Sequence, residues 1–239
     1  MRRLAAIGVI LFSAAHAFAE EAGCLGSASS FDANGGTFAI PRAGAGHPLD
    51  ILAIGSSSTE GIGASSPAYT YPAQLQDEPT EEDGITADVR NAGVGGELAA
   101  KTLSRLLNAL KSGWARLVIW QVGTNDAITG VDEGVFRATL EKGIAAARAA
   151  GVPLLLMDPQ FTQKTRDEAR YERFVAIIDQ IGARNHVPVL SRFAMMKRWG
   201  AKSALALLSG DGLHMNDRGY RCVAHALAEA IEGAAGAKL

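Results

Sequence analysis

The sequence predicts an α/β fold built on a doubly wound parallel sheet, and two observations carry that reading. Short apolar runs of strand length alternate along the chain with longer stretches whose apolar residues recur every three or four positions. The least interrupted of the short runs are apolar at successive positions, which suits strands covered on both faces rather than strands with one face in water.

The strand candidates are residues 50–55 (DILAIG), 85–91 (ITADVRN), 116–123 (RLVIWQVG), 152–158 (VPLLLMD) and 187–190 (VPVL). Between them Leu103, Leu106, Leu107 and Leu110 share one helical face, as do Phe136, Leu140 and Ile144, then Tyr171, Phe174, Val175 and Ile178. Tyr220, Val223, Ala224, Leu227 and Ile231 add an amphipathic helix near the end. Such alternation implies right-handed crossovers and about five parallel strands, whose C-terminal loops share one edge, where ligands bind in this architecture.

At 239 residues the chain suits one domain with a sizeable core. Residues 1–19 read as a secretory signal: Arg2 and Arg3 precede an apolar run from Leu4 to about Ala15, and Ala17-Phe18-Ala19 fits an A-x-A cleavage site. The run is shorter than the roughly 20 residues a spanning helix needs, so no stable membrane anchor is expected and the destination is periplasmic or secreted, with cleavage after Ala19. Residues 20–47, rich in Gly, Ala and Ser, read as a surface tail, and residues 48–236 as the folded domain. Two cysteines are present, Cys24 in the tail and Cys222 in the last helix; in an oxidising compartment they could pair.

The formal net charge of −2, and −4 once the leader takes two arginines and no acid with it, gives no sign of a nucleic-acid binder, which would normally show a basic stripe. No H-E-x-x-H and no close cysteine pair marks a zinc site, and "GVGGE" and "GIGA" fall short of a dinucleotide fingerprint, so neither metal nor cofactor is expected.

Four polar clusters fall where the ligand-binding edge should lie: Ser56, Ser57 and Ser58 after the first strand, "NAGVGG" (91–96) after the second, Asn125 and Asp126 in "GTND" after the third, and Asp211 and His214 in "DGLH" before the last helix. Each alone has an ordinary reading as a helix cap, a turn or a surface histidine. Together they supply one chemistry. A serine hydroxyl needs an imidazole to take its proton, and the imidazole needs a third group to hold its tautomer. His214 is the best placed of five histidines, and Asp211 reaches it without leaving the loop. The glycine-rich loop and the Asn125 amide can donate to the oxyanion that forms when an ester carbonyl is attacked.

The ordered set "AIGSSSTEGIGA", "NAGVGGE", "GTND" and "DGLHMNDRGY" resembles the four sequence blocks of the SGNH hydrolases, also called GDSL esterases and lipases, over about residues 49–231. The resemblance implies a flavodoxin-like three-layer α/β/α fold, with Ser57 as nucleophile and Asp211 and His214 completing the triad. It also implies an oxyanion hole formed by the Ser57 amide, Asn125 and Gly96, five residues after Asn91, with Gly93 and Gly95 as alternatives. Ser56 stands where the family has aspartate, which bears on how the nucleophile loop is braced; Asn91 and Asp126 are expected to support the loops, Asp126 by fixing the "GTND" turn. The expected function is an exported ester hydrolase that removes short acyl groups, O-acetyl above all, from a carbohydrate or similar small-molecule carrier. A lysophospholipase or acyl thioesterase of the same family, and a binding module without catalysis, are the alternatives.

Overall fold

The computed structural model describes residues 24, 31–32, 48–78 and 86–236; the expected signal peptide lies outside them. In chain order the elements are β1 (Phe31–Asp32), β2 (Leu49–Gly55), α1 (Ser57–Glu60), a 3-10 turn (Pro67–Tyr69), α2 (Tyr71–Asp77), β3 (Ala87–Gly93), α3 (Ala99–Leu110), β4 (Leu117–Gln121), α4 (Thr124–Thr129), α5 (Glu133–Ala149), β5 (Leu154–Met157), α6 (Glu168–Asn185), β6 (Val189–Leu190), α7 (Arg192–Arg198), α8 (Ala201–Ala206) and α9 (Asp217–Gly236). The sheet runs β1-β6-β5-β4-β2-β3, and every pairing among β2 to β6 is parallel. This is the three-layer α/β/α sheet of five parallel strands that the alternation predicts.

One expectation needs correction. Residues 20–47, read as a surface tail, place Phe31 and Asp32 in the sheet as an antiparallel edge strand against Leu190 and Val189. A two-residue strand held through its backbone leaves no side-chain periodicity in the sequence. Cys24 is also bonded to Cys222 in α9, among Leu207 and Trp199.

The layers follow from residue alternation, since successive strand side chains point to opposite faces. Leu49, Ile51 and Ala53 of β2 pack with Tyr71, Leu75, Tyr220, Val223, Leu227 and Ile231, the core beneath α2 and α9. Leu52 and Ile54 pack into the opposite core with Leu106, Phe136, Leu140 and Phe174 of α3, α5 and α6. Fully buried Ile51 and Ile119 sit centrally, where truncation to alanine costs about 2–5 kcal/mol. Helix starts are set locally: Asp132 accepts from the Val135 amide and Asp167 from the Arg170 amide, caps worth about 1 kcal/mol each.

What this fold does for the site is fixed by strand order. The chain leaves β2 toward β3 on one side, then crosses back past β2 to β4 on the other. The loops after β2 and β4 therefore diverge, opening the crevice where open α/β sheets bind ligands.

Candidate active site

Strand β2 ends at Gly55, and the chain turns at once into the single turn of α1, where the Thr59 and Glu60 amides both donate to the Ser56 carbonyl. Ser57 is thereby lifted to the sheet edge, and its hydroxyl meets the loop before α9. Ser57 Oγ lies 2.7 Å from His214 Nε2, and His214 Nδ1 lies 2.6 Å from Asp211 Oδ2. The second carboxylate oxygen of Asp211 accepts from the Ser209 hydroxyl and from the Leu213 and His214 amides at 2.8, 2.8 and 2.9 Å. Partial burial pushes the Asp211 carboxyl up, but the His214 ring, those two amides and Ser209 outweigh it and hold the group well below the usual carboxylate range. An anionic Asp211 makes Nδ1 the protonated ring nitrogen, which leaves Nε2 to accept the Ser57 proton.

Opposite this chain of hydrogen bonds stand unused donors. Among the described residues, the amides of Ser57, Gly95 and Gly96 donate to no protein acceptor. Asn125 gives one carboxamide proton to the Glu97 carbonyl at 2.9 Å, and an amide NH2 has two. Of the three glycines in this loop, Gly95 borders the serine: a Cβ on it would stand 3.9 Å from Ser57 Cβ and 2.7 Å from Glu60 Oε2. A Cβ on Gly93 would fall 1.9 Å from the Glu60 amide nitrogen, so β3 can pass α1 only with glycine there. Gly96 has a left-handed backbone (φ +76°) with open space around it.

The supporting residues are placed as follows. Asn91 accepts from the Gly93 amide at 2.9 Å and reaches the Glu60 carbonyl at 3.5 Å, joining the end of β3 to α1. Asp126 is buried, which pushes its carboxyl up, and both its oxygens accept the Ala99 amide. It therefore caps α3 across the crevice, a role beyond the "GTND" turn itself. Ser56 is buried and bonded to Gln121 at the end of β4, to which both its amide and its hydroxyl donate.

Four further residues, not singled out by the sequence reading, hold these loops. Gln121, the one polar residue of β4, also receives the Thr59 hydroxyl. Arg105 pairs with Glu97 at 2.6 Å and donates to the Ala92 and Gly55 carbonyls, so one guanidinium ties the oxyanion-side loop to the ends of β2 and β3. Gln160 donates to the Leu213 carbonyl at 2.9 Å and accepts from Ser58 and Thr124, bridging three loops. Arg192 is fully buried, its Nε donating to the Asp158 carbonyl while its two Nη atoms have no partner among the described residues. Burial pushes the Asp158 carboxyl up to about 7, against the opposing pull of Ser191, the Phe193 amide and Arg192. A polar residue in an apolar strand, as Gln121 is, could have been noticed; Arg192 carries no such signal.

With this geometry in view, likeness to known proteins becomes decisive. The model of the Non-GDSL lipase-like family matches residues 30–237. The chain belongs to that family. It is thus an esterase and lipase type hydrolase of the SGNH kind, and "non-GDSL" agrees with the serine at position 56. Over 187 residues it is 27% identical to the thioesterase 1/protease 1/lysophospholipase L1 of Escherichia coli, covering 76% of this chain and 83% of that one. In fold it resembles a lipase/acylhydrolase from Enterococcus faecalis (TM-score 0.68, 21% identity, 77% of this chain and 95% of that one). It also resembles the acetyl xylan esterase AlAXEase (TM-score 0.64, 18% identity, 77% and 100%). Among the described residues no helix is long and apolar enough to cross a membrane, and no group of three His, Cys, Asp or Glu could hold a metal ion.

Proposed function

We propose that this protein is a metal-independent carboxylic-ester hydrolase acting through an acyl-enzyme on Ser57. The observation that carries the reading is the unbroken relay from Ser57 Oγ to His214 Nε2 and from His214 Nδ1 to Asp211, ending beside unused amide donors. His214 takes the Ser57 proton as the hydroxyl attacks the carbonyl carbon, and gives it to the leaving alcohol as the tetrahedral intermediate collapses. It then draws a proton from the water that hydrolyses the acyl-serine. The oxyanion is received by the Ser57 amide, the second proton of Asn125 and a glycine amide of the 95–96 turn; Gly96 is the family register, and Gly95 the residue that borders Ser57. Each donor is worth on the order of a hundred- to a thousandfold in rate.

The substrate is a short acyl ester, acetyl above all, on a carbohydrate or similar carrier. The sequence between the motifs offers no obvious lid insertion, and the likeness to an acetyl xylan esterase supports the same choice. Similarity to the Escherichia coli thioesterase and lysophospholipase favours a second reading with longer acyl groups. Export is part of the proposal, supported by the Cys24–Cys222 bond, which needs an oxidising compartment.

Hydrolysis of 4-nitrophenyl esters from acetate to palmitate, alongside acetylated polysaccharides, tests this. Turnover is expected to peak at acetate and to fall about a thousandfold or more in Ser57→Ala. A peak at palmitate would favour the second reading, and no turnover of any ester would leave only a binding module.

A further inference from the structure

The two sides of the candidate site differ in charge. His214 hands its proton to the departing oxygen, so the leaving group lies on the side of the 211–214 loop, while the carbonyl oxygen points to Gly95 and Asn125. On the oxyanion side Glu60 places a carboxylate beside Gly95, and the side chains of Val94 and Ile128 are exposed and apolar. On the leaving-group side the loop after β5 is clipped to the 211–214 loop. Gln160 donates to the Leu213 carbonyl, Thr162 Oγ1 donates to the Gly212 carbonyl at 2.7 Å, and the Lys164 amide donates to Thr162 Oγ1 at 3.1 Å. The stem of Lys164 then crosses the glycine between Asp211 and Leu213: a Cβ on Gly212 would stand 2.7 Å from Lys164 Cε.

Its ammonium is left over. Lys164 is exposed and, among the described residues, its Nζ makes no hydrogen bond or ion pair. The neighbouring Asp211 does not take it, because Asp211 is already met by Ser209, two amides and the His214 ring. Three nearby arginines are occupied, Arg105 by Glu97 and two carbonyls, Arg170 by the Ala127 and Val131 carbonyls and Arg192 inside the core, while Arg166 lies exposed on the same loop as Lys164 but, among the described residues, makes no hydrogen bond or ion pair with the 211–214 loop. A cation whose backbone is pinned to the acid–base loop, in a chain of net negative charge, suits an anion carried by the substrate.

We propose that Lys164 forms a leaving-group subsite that favours esters whose alcohol carries an anionic group, a phosphate or a carboxylate. This rests on the esterase reading above. It narrows the carrier to an acidic one, such as a uronate or a glycerophosphate.

A matched series of acetates tests it: 4-acetoxybenzamide with a neutral leaving group, 4-acetoxybenzoate with a carboxylate, and 4-acetoxyphenyl phosphate. The quantity read is the kcat/KM ratio of each anionic ester to the neutral one, in wild type, Lys164→Ala and Lys164→Glu. An exposed charge pair supports a fall of about two- to fivefold in that ratio for Lys164→Ala, carried by KM, and roughly the square of it for Lys164→Glu. Added salt narrows the wild-type preference. A ratio that moves only for the phosphate assigns the subsite to phosphate, and one that moves only for the carboxylate assigns it to an acidic sugar. Equal losses on all three esters leave the ratio unchanged and overturn the proposal. Wild type inactive on every ester removes the esterase reading, and this inference falls with it.

Discussion

Gln121 Oε1 accepts two hydrogen bonds from Ser56, one from its amide at 2.9 Å and one from its hydroxyl at 3.1 Å. Ser56 occupies the place where the resemblance to GDSL enzymes implies an aspartate, and the nucleophile turn is braced there by neutral groups. The brace comes from the end of β4, the strand that leads into Asn125, so the nucleophile turn is tied to the strand on the far side of the crevice. Replacing Gln121 by leucine strands the Ser56 amide and hydroxyl in the interior, whereas the Thr59 hydroxyl keeps Tyr71 Oη at 3.2 Å. At about 1–3 kcal/mol per stranded group, partly relieved by rotation of the hydroxyl, the loss is on the order of 2–5 kcal/mol. For a chain of this size a melting temperature lower by roughly 5–15 °C is expected. Ser56→Ala keeps the amide bond and costs only about 0.5–1.5 kcal/mol, with a rate loss below about tenfold. Thermal melts and ester turnover on the two variants check both figures; equal damage from both would deny Gln121 this role.

The pH dependence of turnover separates the roles of Asp211 and His214. With its carboxyl held below the usual carboxylate range, Asp211 is anionic where the imidazole gains its proton, so its own protonation does not shape the acid limb. The limb then reports a single proton on the imidazole, which removes the acceptor for the Ser57 proton. A slope of one in log kcat/KM against pH is expected, with kcat falling as acid is added. A slope of two, or a flat rate into strong acid, would contradict the assignment.

His225 ties the two ends of one face together. Its Nδ1 lies 3.8 Å from Glu78, which ends α2, and its Nε2 lies 3.5 Å from Glu229 on α9. The nearby Glu78 carboxylate raises its pKa most, against the opposing effect of burial, and the charges of Glu229 and Glu232 add to the rise. A folded-state value above the unfolded 6.5 means that this stabilisation is complete below 6.5 and is lost as pH rises through the folded value. Melts between pH 6 and 9 should therefore show wild type losing more stability than His225→Gln across that window. Parallel curves would show that the contact contributes nothing.

The Cys24–Cys222 bond closes a loop of 198 residues in sequence separation. Restricting the unfolded chain over so long a loop is worth on the order of 3–5 kcal/mol. Since the bond lies in a small cluster with Leu207 and Trp199, away from the serine, reduction should lower the melting temperature while leaving turnover at 25 °C near its oxidised value. Differential scanning calorimetry with and without reductant, paired with mass spectrometry of the non-reduced protein, measures both. Two free thiols in the non-reduced protein would remove the staple.

Periodicity made the layered sheet legible, because Leu49, Ile51 and Ala53 on one side and Leu52 and Ile54 on the other are set by alternation that any strand imposes. That Ser57 would meet the Asp211–His214 loop could be read as well, since a serine on one sheet-edge loop and an aspartate and histidine three apart on another have few other joint uses. What escaped was whatever acts through backbone or across the core. Phe31 and Asp32 pair by main-chain hydrogen bonds that no side-chain pattern announces. Arg105 lies within an ordinary amphipathic helix, and only the fold shows that its guanidinium reaches the Gly55 and Ala92 carbonyls. Which glycine faces the serine depended on how closely β3 passes α1, a distance that three near-identical residues in sequence cannot encode.

The most direct measurement is the position of a covalent adduct after treatment with a serine-directed phosphonate ester, mapped by peptide mass spectrometry. One phosphonyl group on Ser57, formed as activity is lost and formed far more slowly in His214→Ala, is the predicted result. An adduct on Ser56 or Ser58 that abolishes turnover, or full inhibition with Ser57 unmodified, would contradict it.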